Sequence, residues 1–390
     1  MWPDPRCTPG KLGWLPPECP FRTIPPSRGV SIDASPDYSE AVIGRRRVRR
    51  RSIREGRVIS ALFQRILAVV GVAATVLVAL PNIASAQNVS YLSHIVVENE
   101  RAVVAHVYSA AMDRVVPLRV RTPADTSHAA PTLYLLNGAG GGQGVATWDE
   151  QTDIDEFFAD KNVNVVTPLD GSFSYYTDWR RDDPVLGRNK WTTFLTRELP
   201  PVIDAAFGTT GVNAIAGLSM SGTSVLGLAI AKPTLYRAVG AYSGCAETST
   251  ELGQLYIRTV VESRGGADVE NMWGPLDGPG WVENDPYVNA EKLRGIDLYV
   301  SSATGLPGKH EHLGARSVGN DPALLLNQVV MGGVIEAAVD DCTRRLAARL
   351  EELDIPAVFE FRPTGTHSWG YWEDDLHNSW PMLARAMETR

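Results

Sequence analysis

The chain has 390 residues, 44% of them hydrophobic and 21% charged, with a formal net charge of −8. Those proportions exclude a wholly disordered chain and allow one large domain or two ordinary ones. The acidic balance gives no reason to expect nucleic-acid binding.

Residues 1–44 carry Pro3, Pro5, Pro9, Pro16, Pro17, Pro20, Pro25 and Pro26 and little periodicity. They read as disordered, or as the product of an upstream start codon. Arginines 45–47, 49–51, 54 and 57 then form a dense basic block ahead of an apolar run over 66–80. That run is shorter than the ~20 residues of a membrane span but suits the core of a signal peptide. Ala84-Ser85-Ala86 supplies a small-x-small cleavage site. Residues 45–86 are therefore expected to be a signal peptide cleaved after Ala86, with an uncleaved anchor as the alternative. The expected location is secreted or in the cell envelope, touching membrane only through this segment or a lipid substrate. Cleavage would leave 87–390 as one domain with two cysteines, Cys245 and Cys342. In an exported chain such a pair predicts one disulfide.

Along 87–390, β-branched residues predict strands over 95–97, 102–107 and 115–120. A buried-type strand over 132–136 runs into the glycine-rich loop Asn137-Gly138-Ala139-Gly140-Gly141-Gly142. No dinucleotide fingerprint or phosphate-binding lysine follows it, so a phosphate cradle is the weaker reading. A strand over 163–168 leads to an aromatic loop over 170–179, of the kind that shapes substrate sites at strand ends. A helix is predicted over 191–207, a strand over 212–216 and a helix over 223–232, ended by Pro233. Further strands are expected over 238–243, 296–301 and 357–361. Residues 244–294 read as a partly helical insertion or lid. Alternating strands and helices predict an α/β fold with a mostly parallel, doubly wound sheet flanked by helices.

Gly217-Leu218-Ser219-Met220-Ser221-Gly222 lies between a strand and a helix. A serine on such a turn is the nucleophile elbow of α/β-hydrolases, and it makes the earlier glycine-rich loop a source of oxyanion N–H groups. Ser221 replaces the glycine usual at the fifth position. A hydroxyl needs a base, and the base an orienting carboxylate, in the chain order Ser, acid, His. His310, His312, His367 and His377 follow Ser219. His367 lies just after the last predicted strand, where a base can reach back to the elbow. The Lys-His-Glu-His spacing around His310 and His312 offers no third ligand, and His377 reads as a surface residue. Neither metal nor cofactor is expected. For the acid, spacing leaves Asp285, Asp297, Glu336, Asp340 and Asp341 open.

Several separated segments carry a family resemblance: Tyr134-Leu135-Leu136-Asn137-Gly138, Tyr176-Thr177-Asp178-Trp179 and the stretch 190–200. Others are Gly217-Leu218-Ser219-Met220, Met272-Trp273-Gly274-Pro275, Asn284-Asp285-Pro286 and Gly365-Thr366-His367-Ser368-Trp369. Over roughly 100–380 the chain resembles the mycolyltransferases of the antigen 85 type. The resemblance implies a Ser219–Glu336–His367 triad and an oxyanion hole from the backbone N–H groups of Met220 and Ala139. It also implies a serine acyltransferase moving mycoloyl groups between trehalose esters, or to cell-wall arabinogalactan. The family's trehalose-binding Asp and Arg fall on Asn137 and Gly140, which shifts the expected acceptor preference, while Trp369 would border the acceptor site. The alternatives are a secreted carboxylesterase and a catalytically idle envelope-binding protein. Oligomeric state is not readable.

Overall fold

The computed structural model describes residues 89–123 and 125–389. The stretches expected to be an N-terminal extension (1–44) and a signal peptide (45–86) lie outside the described residues.

Nine strands form one sheet in the order β1-β2-β3-β5-β4-β6-β7-β8-β9. They are β1 (Tyr91–Val97), β2 (Ala102–Ser109), β3 (Arg114–Arg121), β4 (Thr132–Leu136), β5 (Asn164–Pro168), β6 (Asn213–Leu218), β7 (Tyr236–Tyr242), β8 (Asp297–Ala303) and β9 (Val358–Arg362). β1, β2 and β3 pair antiparallel, as does β3 with β5. From β5 to β9 every pairing is parallel. All the expected strands are present, and the sheet is mostly parallel as predicted.

The sheet divides its side chains by alternation. Tyr134 and Leu136 of β4 enter the core on one face, with Ile203, Val225 and Leu346. Leu133 and Leu135 enter the other, with Trp148, Phe158 and Leu376. Central strands covered on both faces must be apolar throughout, and β4 and β6 are buried at every residue. Five helices matter below: α1 (Leu199–Phe207), α2 (Met220–Ala231), α3 (Pro322–Asn327), α4 (Gly333–Glu352) and α5 (Trp369–Ala386). α3 and α4 join through a π-helical turn at Gln328–Gly332 into one continuous helix, Pro322–Glu352.

Residues 244–294 are built into the molecule rather than laid over it. Ile257, Val261, Met272, Trp273 and Trp281 belong to the main core. The Trp273 indole donates to Thr177 Oγ1 at 3.2 Å, and Arg180 N donates to Met272 O at 3.0 Å, fixing this segment to the aromatic loop. Cys245, just past β7, is bonded to Cys342 on α4, with Cα atoms 5.4 Å apart and a sequence separation of 97. The expected disulfide is present.

Candidate active site

Ser219 stands between β6 and α2 with φ 56° and ψ −120°, a conformation that costs an L-residue ~1–3 kcal/mol. Small neighbours make the turn possible. A Cβ on Gly217 would stand 2.5 Å from Ser221 Oγ, and one on Gly222 would stand 2.6 Å from Tyr242 O. Ser221, at the position where glycine is usual, is fully buried and ties the turn. Its hydroxyl accepts from Leu218 N at 2.9 Å and lies 3.0 Å from Leu218 O and 3.2 Å from Leu136 O. The elbow thus exchanges one glycine for a side chain that closes the loop on itself.

Three side chains meet in a line. His367 Nε2 is 2.7 Å from Ser219 Oγ, and His367 Nδ1 is 2.8 Å from Glu336 Oε2. Glu336, on the first turn of α4, is fully buried. A buried carboxylate is tolerated only when its lone pairs are satisfied. Its other oxygen accepts from Ser243 Oγ and from Ala303 N, each at 2.9 Å. Ser243 Oγ in turn accepts from the Trp372 indole at 3.0 Å. These contacts come from the ends of β7 and β8, so the acid is held by the same sheet edge that presents the nucleophile. The other candidate carboxylates are engaged elsewhere. Asp285 accepts from Ser249 and Val288 N, Asp340 from Ser302 and Arg344, and Asp341 pairs with Arg345. Asp297 is exposed at the start of β8.

The base sits on a braced loop. His367 N donates to Gly332 O at 3.1 Å. Half-buried Glu311 accepts from Thr366 at 2.6 Å, Tyr371 at 2.7 Å, Gly308 N at 2.6 Å and Gln328 at 2.9 Å. Burial pushes the Glu311 carboxyl up, but the Thr366, Gly308, Tyr371 and Gln328 donors outweigh it and hold it below its ordinary 4.5. Sequence reasoning passed over Glu311 because its Lys-His-Glu-His setting reads as a polar loop. Ser243 and Trp372 carried no sequence signal at all.

The glycine-rich loop approaches the nucleophile: a Cβ on Gly138 would be 3.7 Å from Ser219 Cβ. Ala139 O accepts from Phe173 N at 2.8 Å, and Gly140 O from Ser172 Oγ at 2.7 Å. Phe173, Tyr175 and Tyr176 all have positive φ, so the aromatic loop holding this face is itself strained. Among the described residues, neither Ala139 N nor Met220 N has a protein acceptor. Asn137 is fully buried; its side chain accepts from Trp148 N at 3.1 Å and donates to Pro168 O at 3.4 Å. It therefore turns into the protein, with no surface for a sugar. Gly140 stays partly accessible. Trp369 is 9% exposed and packs edge-on against Trp148 and Trp372.

His310 pairs with Asp374 rather than with His312, and His377 is half-buried, stacked on Phe157 and 2.9 Å from Asp153. Asp153, Glu373 and His377 hold donor atoms within 4.8 Å of one another, the one cation-sized grouping among the described residues.

The chain is similar to several known proteins. Residues 109–383 match the Esterase family, described as "Putative esterase". The diacylglycerol acyltransferase/mycolyltransferase Ag85A of Mycobacterium tuberculosis is 34% identical over 265 residues, covering 66% of this chain and 74% of that protein. Ag85B of Mycobacterium leprae is 31% identical over 290 residues, covering 72% and 83%. Among solved structures, Mycobacterium tuberculosis MPT51 (FbpC1) aligns over 72% of this chain and 96% of its own, with a TM-score of 0.59 at 26% identity. An S-formylglutathione hydrolase from Agrobacterium tumefaciens shares the fold, with a TM-score of 0.53 at 14% identity.

Proposed function

We propose, from the premise that this chain belongs to the esterase family and within it to the antigen 85-type mycolyltransferases, that it is an exported serine acyltransferase acting on long-chain acyl esters of trehalose. The observation that carries the reading is the unbroken line Glu336–His367–Ser219.

In the proposed reaction Ser219 Oγ attacks the ester carbonyl as His367 Nε2 takes its proton. Glu336 fixes the imidazole through Nδ1 and stabilises the imidazolium. The N–H groups of Met220 and Ala139 would receive the developing oxyanion, and losing one such donor typically costs about 10²–10³ in rate. Collapse expels the sugar alkoxide, which takes the proton from His367 and leaves the acyl group on Ser219. An acceptor hydroxyl, from a second trehalose ester or cell-wall arabinogalactan, then gives its proton to His367 and bonds to the acyl carbon; the Ser219 Oγ–acyl bond breaks and Oγ takes that proton back from His367. Water in that place would make free acid, the hydrolase outcome. Burial of Asn137 leaves the acceptor to be gripped by groups other than that amide.

Purified protein incubated with a trehalose mycolate and labelled free trehalose is expected to move label into lipid, and Ser219→Ala to lower that rate at least about 10³-fold. Free acid without labelled lipid would replace the transferase reading with a hydrolase. Equal products from Ser219→Ala would remove the catalytic reading altogether.

A further inference from the structure

Arg362 and Asp375 form a buried ion pair that takes no part in the proposed reaction. Arg362 ends β9 and Asp375 lies near the start of α5, 13 positions later in sequence. His367 sits on the loop between them. The Asp375 side chain is fully buried and that of Arg362 is 12% exposed. Their contact is a two-pronged fork: Arg362 Nη1 donates to Asp375 Oδ1, and Nη2 donates to Oδ2 at 3.0 Å. The loop that carries the base is thus closed at its neck by a charged clamp.

Stability does not explain the clamp. Desolvating two opposite charges often costs more than their attraction returns, so apolar residues of similar volume can be as stable or more so. That cost is visible here. Arg362 Nε is buried and has no acceptor among the described residues. Burial pushes the Asp375 carboxyl above its ordinary value despite the cation beside it. What a fork does supply is orientation, because two parallel hydrogen bonds fix an angle as well as a distance.

Arg362 also connects the supports of the base with those of the acid. Its guanidinium carbon lies 5.3 Å from the centroid of the Tyr371 ring. The Tyr371 hydroxyl donates to Glu311 at 2.7 Å, and Glu311 accepts as well from Thr366, the neighbour of the base. Along the sheet, Arg362 is in register with Ala303, whose N–H donates to Glu336 Oε1 at 2.9 Å. We propose that Arg362 and Asp375 are positioning residues, which close the neck of the base loop to hold His367 Nε2 against Ser219 Oγ and so set turnover rather than stability. The inference rests on the reading of Ser219, Glu336 and His367 as the catalytic line. Misplacing a catalytic group by about 1 Å can cost about 10²-fold in rate.

The test uses the mature chain with p-nitrophenyl butyrate, a soluble short ester, and a fluorophosphonate whose rate of reaction with Ser219 needs the base but no acceptor. Arg362→Met with Asp375→Leu replaces the pair by apolar side chains, so that neither charge is buried alone. This double variant is expected to melt no lower than the parent, while kcat and the labelling rate fall about tenfold or more and KM moves less than about twofold. Arg362→Lys keeps the charge but cannot form the fork, and is expected to lose kcat in the same direction with the fold intact. Glu98→Leu with Arg119→Met removes a two-pronged pair at the β1 edge, both contacts 2.9 Å, and is expected to leave kcat within about twofold. Parent-like kcat in the folded double variant overturns the proposal. So does a loss carried wholly by KM, which would make the pair part of the substrate site. Should the double variant fail to fold, Arg362→Lys decides, and full activity there makes the pair merely structural and overturns the proposal. A parent that turns over while Ser219→Ala does not keeps the acyltransferase reading standing whichever way the pair falls.

Discussion

Ser219 at φ 56° sits where only glycine is at ease, so the hydroxyl is presented at a cost to the fold. Comparing two variants that both lack the hydroxyl isolates that cost. Ser219→Gly is expected to be more stable than Ser219→Ala by about 1 kcal/mol, a difference readable as a higher melting temperature. Glu336→Gln keeps the shape but replaces a charge that two donors and the imidazole share; turnover is expected to fall about 10⁴-fold with little change in KM for a short ester. Glu311 touches no reacting atom and acts through Thr366 and Tyr371 on either side of the base. Its folded carboxyl is held below its unfolded value, so its contribution is present above 4.5 and is lost as pH falls through the lower folded value. Glu311→Gln should therefore cost about 1–3 kcal/mol at neutral pH, and the gap to wild type should close in acid. Denaturation at pH 7 and pH 3 measures both limbs.

At the level of elements, legibility followed periodicity and composition. β4 through β7 are apolar because both faces are covered, and they could be read directly. Ser219 and His367 could be read because each follows a strand at the sheet edge where catalytic loops gather. The acid could not be separated by its spacing. Five carboxylates are open by spacing; burial sets exposed Asp297 and Asp341 aside, and only partners set Glu336 apart from buried Asp285 and Asp340, properties that arise only when α4 packs against β8. The family resemblance supplied it instead. The helix Pro322–Glu352 is not legible as an element because 322–335 is uncharged, has Asn327 and Gln328 as its only polar residues and is interrupted by Gly332 and Gly333, leaving no 3.6-residue pattern to detect. The segment 244–294 is partly helical, as its sequence suggests, but how deeply it packs is not legible there. Its glycines suggest loops, but Trp273 and Trp281 pack edge-on at 5.1 Å inside the core.

Over the whole molecule, the Cys245–Cys342 bond ties the segment after β7 to the helix that bears Glu336. Closing a loop of 97 residues removes unfolded-state entropy worth about 4.7 kcal/mol in the chain-entropy account. Cys245→Ala with Cys342→Ala is expected to lower stability by about 2–4 kcal/mol in urea unfolding, and to match the wild type measured with reductant. The triad and its supports come from the ends of β6, β7, β8 and β9, with the glycine-rich loop from β4. β1, at the far edge and exposed along most of its length, contributes to none of them. The molecule therefore has a working rim and an idle margin. A bead, dye or fusion partner joined through β1 would leave the reactive rim open to its oily substrate, whereas a graft on α5 would press on Trp372, the indole that steadies the hydroxyl behind the acid.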